Sequence, residues 1–238
     1  MNKLFLYALL LFVFGCNKQQ KKNPQTIPTF SSYIESFSEG TVSVSDPVII
    51  YFNSEMNKTI DPKKVFSIQP NVAGSIDWRD ARTLLFLPDA PLKENTTYEV
   101  AVSLKELFPK VPKTQNKFNF NIKTLKQNFE FSTDEIRFYD SNDLSRAKLT
   151  GHIQTADVTS FEKVKKMVVA TQNGNALNIK WETPKGKTSF SFNIENIKTR
   201  QEVGTVNLEI TGAAIGVKKT EKQKIEVPAT DAFKVLSA

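Results

Sequence analysis

The 238-residue chain has one cysteine, Cys16, and one histidine, His152. A disulfide needs two cysteines and a structural zinc site four ligands, so neither a disulfide framework nor a Cys/His metal centre can be built. Glycines number only 9. None of them forms a phosphate-cradling loop or the G-x-S-x-G turn that presents a catalytic serine. Asp140-Ser-Asn-Asp143 gathers oxygen donors but lacks the twelve-residue spacing and closing glutamate of a calcium loop. The longest apolar run has 11 residues, too few to span a hydrocarbon core of about 30 Å as a helix.

What is present favours strands. Hydrophobic residues make up 39 % of the chain and charged residues 24 %, with 18 phenylalanines among the apolar set. Aromatic and β-branched residues suit pleated, half-buried surfaces. The net charge of +7 comes from lysines scattered in twos and threes. No basic patch with interleaved aromatics and no nucleic-acid motif accompanies them, so no nucleic-acid partner is expected. The longest basic cluster, Lys218-Lys-Thr-Glu-Lys-Gln-Lys224, reads as a hairpin loop.

The N-terminus reads as an address. Lys3 precedes the apolar run Leu4 to Phe14, and Gly15-Cys16 follows at once. Charge, apolar core and a small residue before the cut is the order of a signal peptide. Val13-Phe14-Gly15-Cys16 resembles the bacterial lipoprotein box, which implies lipidation of Cys16; Phe14 is bulkier than the residue usual there. Asn17 to Pro28 is polar, basic and proline-interrupted, the composition of a tether. Lys18, Lys21 and Lys22 add attraction to anionic headgroups. Asn17 stands where an inner-membrane retention signal would place Asp, and no acidic export run follows. The expected location is the cell envelope, lipid-anchored in the outer membrane and facing the periplasm.

Two regions of alternating strands come next. In the first, Val48-Ile-Ile-Tyr-Phe52 is a short apolar strand, and Val65 to Ile68 reads as a short strand or one helical turn. Gly74, Ile76 and Trp78 alternate into a tight turn from which Thr83 to Leu87 return. Tyr98, Val100, Val102 and Leu104, then Phe118, Phe120 and Ile122, mark two more inward faces. In the second, Leu149, Gly151 and Ile153 alternate, and Phe161 to Val168 has near-helical spacing. Asn173-Gly174 is a hairpin signal. Leu177, Ile179 and Trp181 then read as one strand, followed by Phe190, Phe192 and Ile194, by Val206, Leu208 and Ile210, and by Ile215, Val217, Ile225 and Val227.

The expected fold class is all-β: two consecutive immunoglobulin-like β-sandwiches. The expected domains are a signal peptide (1–15), a lipidated tether (16–28), sandwiches over 29–124 and 125–228, and the start of a third domain over 229–238, with the natural polypeptide continuing past Ala238.

Catalytic candidates are few. His152 sits alone on an alternating strand and reads as structural. Asp77 and Asp80 flank Trp78 and Arg79 at a hairpin tip, where turn formation and surface ion pairing are the simpler roles. Trp78 and Trp181 fall in phase with apolar neighbours and read as core. The chain is expected to be non-catalytic, with no cofactor and no metal.

Trp78-Arg-Asp-Ala-Arg-Thr-Leu-Leu-Phe-Leu-Pro88, followed by Pro91-Leu-Lys-Glu-Asn-Thr-Thr-Tyr98, resembles the first macroglobulin-like domain of bacterial alpha-2-macroglobulins, with its W-x-D-x-R-T-L-x-F-x-P strand pair. Leu149 to Val158, Glu162 to Lys166, Ile179 to Glu182 and Ile215 to Lys218 resemble the next domain, and Ile225 to Leu236 the passage into a third. The likeness is densest to Bacteroidetes-like lipoproteins. It implies macroglobulin-type sandwiches and a role as N-terminal scaffold and membrane anchor of an endopeptidase inhibitor that traps proteases. The family's C-x-E-Q thioester motif has no counterpart here, because the single cysteine is the lipid site. Target proteases would be met only through regions outside this sequence, and the near partners would be the membrane and the downstream domains. The alternative is a stand-alone Ig-like binding or adhesion lipoprotein.

Overall fold

A computed structural model describes residues 30–140 and 142–230. Cys16, the signal and tether segments and residues 231–238 lie outside the described residues. The first sandwich runs through β1 (Ile34–Phe37), β2 (Gly40–Val42), β3 (Val48–Phe52), β4 (Phe66–Gln69), β5 (Gly74–Trp78), β6 (Thr83–Pro88), β7 (Thr97–Ser103) and β8 (Lys117–Thr124). One sheet has the order β1-β3-β6-β5 and the other β2-β8-β7-β4, with β2 parallel to β8 and the remaining pairs antiparallel. The sheets meet through rings: Phe37 lies 4.9 Å from Phe118 and 4.7 Å from Phe120, and Phe66 stacks on Phe86 at 5.1 Å. Tyr98, Val100, Val102 and Leu104 are buried, as their alternation predicts, although Leu104 opens the one-turn helix α1 (Leu104–Leu107). Of the two readings of Val65 to Ile68, the strand is the one found, as β4, and the 3-10 turn at Pro62–Lys64 precedes that stretch.

The β5–β6 hairpin centres one end of this core. Trp78 is buried, its ring 5.9 Å from Phe52 and its Nε1–H donating to the Ile60 carbonyl at 3.0 Å. That hydrogen bond lets an indole enter a core without stranding its polar atom.

The second sandwich contains β9 (Phe129–Thr133), β10 (Arg137–Phe138), β11 (Arg146–Thr155), the one-turn helix α2 (Phe161–Val164), β12 (Val168–Gln172), β13 (Asn175–Ala176), β14 (Ile179–Trp181), β15 (Ser189–Lys198), β16 (Gly204–Thr211) and β17 (Thr220–Val227). One sheet is β10-β11-β15-β14 with β9 also on β11, and the other β13-β12-β16-β17. The β12–β13 turn has positive φ at Asn173 (51°) and Gly174 (77°), the geometry that an Asn-Gly hairpin predicts. Its core, from Phe129 to Val227, is separate from that of the first sandwich, which runs from Phe30 to Ile122. Both halves are Ig-like β-sandwiches, as the alternation predicts.

Three local expectations change. The near-helical spacing from Phe161 yields only one turn, because Val168 already begins β12. Leu177 to Trp181 is not one strand: β13 pairs with β12 and β14 with β15, so the chain crosses between sheets there. The lysine cluster is not a loop. From Thr220 it is β17, an edge strand paired with β16 along its length, with Lys222 bridging to Glu209 at 3.2 Å. Charged side chains on an edge strand discourage pairing with another sheet, so the run suits an edge as well as it suits a loop.

Gly151 is the glycine with the least room for a side chain. A Cβ there would lie 2.3 Å from Phe192 Cζ, on the residue it faces across the β11–β15 ladder. Phe192 is fully buried and also packs 4.8 Å from Trp181, so its ring has nowhere to retreat. Gly151→Ala is therefore expected to destabilise the second sandwich by about 1–3 kcal/mol, read as a lower urea midpoint at Trp181. An unchanged midpoint would show that the ring has room to shift.

Candidate functional site

The most constrained polar cluster joins the two sandwiches. Asp157 follows β11 in the second sandwich and is 3 % exposed, the one buried carboxylate among the described residues. It reaches into the β2–β3 connection of the first sandwich: the Ser43 hydroxyl donates to Oδ1 at 2.6 Å and the Val44 N–H to Oδ2 at 2.8 Å. The Val158 N–H adds a third donor at 2.7 Å. A carboxylate buried without donors would be unstable, whereas one holding three satisfies most of its acceptor capacity.

The surroundings pre-set this grip. Asp46 accepts from the Ser43 N–H at 2.8 Å, and the Ser45 N–H donates to the Ser43 hydroxyl at 3.2 Å, so the loop arrives shaped. Gln127, on the linker, brackets the Asp157 backbone, accepting from its N–H and donating to its carbonyl, both at 3.1 Å. Glu94 in turn accepts from the Gln127 N–H at 2.8 Å. Buried Thr155 closes the cluster, its hydroxyl donating to the Asp157 carbonyl at 2.8 Å. Linker and both sandwiches thus share one hydrogen-bond network.

Beside it opens a cavity of about 430 Å³, walled by Val44, Leu92 and Leu125 of the first half and Val158 and Ile215 of the second, with Lys163 and Lys187 also in its lining. Neither lysine has an ion pair among the described residues.

The residues weighed from sequence fall elsewhere. Cys16 lies outside the described residues. Asp77 accepts from the Trp78 N–H at 2.8 Å, within the hairpin. Asp80 is held below the usual carboxylate range by the Arg82 N–H, then by the Thr83 hydroxyl and the charges of Arg79 and Lys58. A general acid needs the opposite shift. Arg82 is tied inward rather than left at the tip, its Nε donating to the Phe52 carbonyl at 2.9 Å and its Nη2 meeting Glu35 at 2.7 Å. Asp143 is likewise lowered, chiefly by the Ser145 hydroxyl and N–H, as befits a turn former. Trp181 is half-buried between Phe192 and Phe161.

His152 has company that its sequence neighbourhood does not reveal. Nδ1 lies 3.1 Å from Ser191 Oγ and Nε2 3.2 Å from Asp134 Oδ1. The residue types are those of a hydrolytic triad. The setting differs, because Ser191 is the third residue of β15, with β11 on one side and the Glu182 N–H donating to its carbonyl on the other. Backbone groups committed to ladders do not form an oxyanion hole, and the sharp turn that exposes a nucleophile is missing from this strand. The three side chains read as a polar crosslink on the outer face of the sheet.

Residues 24–133 match the family profile of the bacterial Ig-like domain. The first sandwich lies within this match and is similar to a bacterial Ig-like domain. The match runs on through β9, the first strand of the second sandwich. No curated protein matches the chain. Among solved structures, an L,D-transpeptidase from Mycobacterium smegmatis is 14 % identical, over 80 % of this chain and 70 % of that one, with a TM-score of 0.31. The N-terminal part of the bacterial S-layer protein SbsC is 15 % identical over 83 % of this chain and 44 % of that one, with a TM-score of 0.28. Titin-A168169 is 8 % identical over 84 % and 98 %, with a TM-score of 0.29. Superpositions this loose carry no argument about function.

Asp157→Ala removes the acceptor from three donors and is expected to weaken the junction by about 2–3 kcal/mol. The linker between Thr124 and Asn128 should then be cut faster by trypsin at Lys126, while Trp78 and Trp181 keep their native fluorescence. Ser43→Ala should show a smaller change in the same direction. A linker as protected in Asp157→Ala as in the native chain would show that the sandwiches are held by something else.

Proposed function

We propose that the chain is a non-catalytic scaffold of the bacterial cell envelope, lipid-anchored through Cys16, that forms the N-terminal part of an alpha-2-macroglobulin-like protease trap. The observation that carries this reading is the junction at Asp157. Tandem modules joined by a polar linker move relative to one another by default. Here the linker itself is hydrogen-bonded into both halves, so the second sandwich takes its position from the first.

The path of the chain supports the same reading. It enters at Phe30, whose ring packs 5.1 Å from Phe118 at the start of β8, and it crosses to the second sandwich at the far end of β8. It reaches Thr230 with that residue's N–H donating to the Arg200 carbonyl, at the end of the second sandwich away from the junction. Entry and exit at opposite poles suit a row of sandwiches added head to tail. The W-x-D-x-R stretch that carries the family resemblance folds as the core hairpin, which is the role such a signature needs. In this scheme proteases engage downstream domains, and this segment sets how far from the membrane they stand.

A stand-alone binding lipoprotein is the second reading, favoured by the cavity at the junction with its two unpaired lysines. Reading the gene past the codon for Ala238 separates the two: further sandwich domains support the trap, and an immediate stop codon overturns it. For the anchor, Cys16→Ala is expected to move the protein from the membrane fraction to the soluble fraction. Full membrane retention of that variant would refute lipidation at Cys16.

A further inference from the structure

The end of the first sandwich opposite the junction is basic, and we propose that it docks on an anionic lipid surface. This rests on the reading of Cys16 as a lipid anchor and adds to it a face and an orientation.

The register of the strands brings three segments to this end. Tyr51 pairs with Thr83 and Phe66 with Val102, while Ser103 faces Lys117. The connections 53–65, 79–82 and 104–117 therefore share one pole. They hold nine lysines and arginines against four carboxylates, in a chain whose whole excess is seven. Some of this charge is neutralised locally: Glu35 takes Arg82, and Lys105 lies 3.5 Å from Glu106. Lys63, Lys64, Lys110, Lys113 and Lys117 have no ion pair among the described residues. The loops 38–47 and 88–97 at the opposite pole reverse the balance, with Glu39, Asp46, Asp89 and Glu94 against Lys93.

Within the basic pole, Lys105, Lys113 and Lys117 surround an open pocket of about 330 Å³, completed by Thr114, Asn116 and Asn119. No carboxylate lines it. Lys113 and Lys117, which have no ion pair among the described residues, and the Thr114 hydroxyl are donors of the kind that phosphate oxygens of lipid headgroups accept.

The position of the chain selects a membrane over a free anion. Phe30 emerges at this same pole, held through Phe118, with the Asn53 amide donating to the Ser31 carbonyl and the Asn53 N–H to the Tyr33 carbonyl. Thirteen residues separate it from Cys16. On the reading of this stretch as a tether, a coil of that length would have a root-mean-square span of about 20 Å, a few Debye lengths at physiological salt. An anchored Cys16 would keep the basic pole at high local concentration beside the headgroups. Each lysine near an anionic leaflet then contributes about fivefold in affinity.

The test uses the lipid-free chain from Asn17 onward, which retains both hydrophobic cores and lacks the apolar run and Cys16, so that failure of the anchor cannot alter the result. It should co-sediment with vesicles containing phosphatidylglycerol at low salt, and not with phosphatidylcholine vesicles or at 0.5 M salt. The triple substitution Lys105→Glu, Lys113→Glu and Lys117→Glu should weaken binding by about a hundredfold or more. The same change of charge at Lys185, Lys218 and Lys224, all exposed on the second sandwich, should weaken it far less. Absence of binding to anionic vesicles, or equal losses in both triple variants, would overturn the proposal. Full competition by 10 mM inorganic phosphate at matched ionic strength would also overturn it, in favour of a free-anion site.

Discussion

Everything that gives this molecule a direction depends on one buried carboxylate. Each sandwich closes its own core, and among the described residues the two buried clusters are separate. Their mutual position therefore depends on polar contacts, which are strong only where water is kept out. Asp157 meets that condition, held at 2.6–2.8 Å by two donors from the first sandwich and one from the second. Hydrogen bonds to a charged group contribute about 1.5–3 kcal/mol each. Three of them sharing one carboxylate define an angle as well as a distance, which a hydrophobic contact of similar strength would not.

The linker would otherwise be the weak point. Lys126 to Asn128 has no apolar residue to bury, yet Gln127 grips both backbone groups of Asp157, and Glu94 grips Gln127. Ordering such a segment costs about 1–2 kcal/mol of backbone entropy per residue. Several side-chain hydrogen bonds to the same few residues offset that cost. The neighbouring cavity follows from the same design, since two convex ends held by a small polar cluster leave space beside it.

The architecture was legible wherever one face of a strand alternates cleanly. Phe118, Phe120 and Ile122 point into the core as their period of two predicts, and Asn173-Gly174 turns as that dipeptide should. The errors come from segments where a strand changes partners or lies at an edge. Leu177, Ile179 and Trp181 keep an alternating pattern across a jump between sheets, because both sheets present apolar faces to the same core. Lys218 to Lys224 looks like a loop because the exposed edge of a sheet and a loop favour the same charged residues. Nothing local in the sequence singles out Asp157. In Ala156-Asp157-Val158 it has the appearance of an ordinary turn residue, and its partner Ser43 is 114 positions away. The Asp134, His152 and Ser191 cluster makes the converse point: the strands assemble three chemically suggestive residues without the backbone donors that hydrolysis requires.

A sandwich has two poles, and in the first one they are chemically opposite. Strand register alone gathers the lysine-bearing connections at the end where Phe30 enters and the carboxylate-bearing ones at the end where Leu125 leaves. The latter need an electropositive neighbour or N–H donors, and they find donors and a polar linker. The former have few carboxylates to pair with and remain turned to the outside. Charge segregation of this kind does little for the stability of an isolated domain, because exposed like charges repel and exposed pairs contribute little. On the anchoring proposed for Cys16 its use would lie in orientation, since a molecule tethered at that end would present its basic pole to the surface that holds the tether.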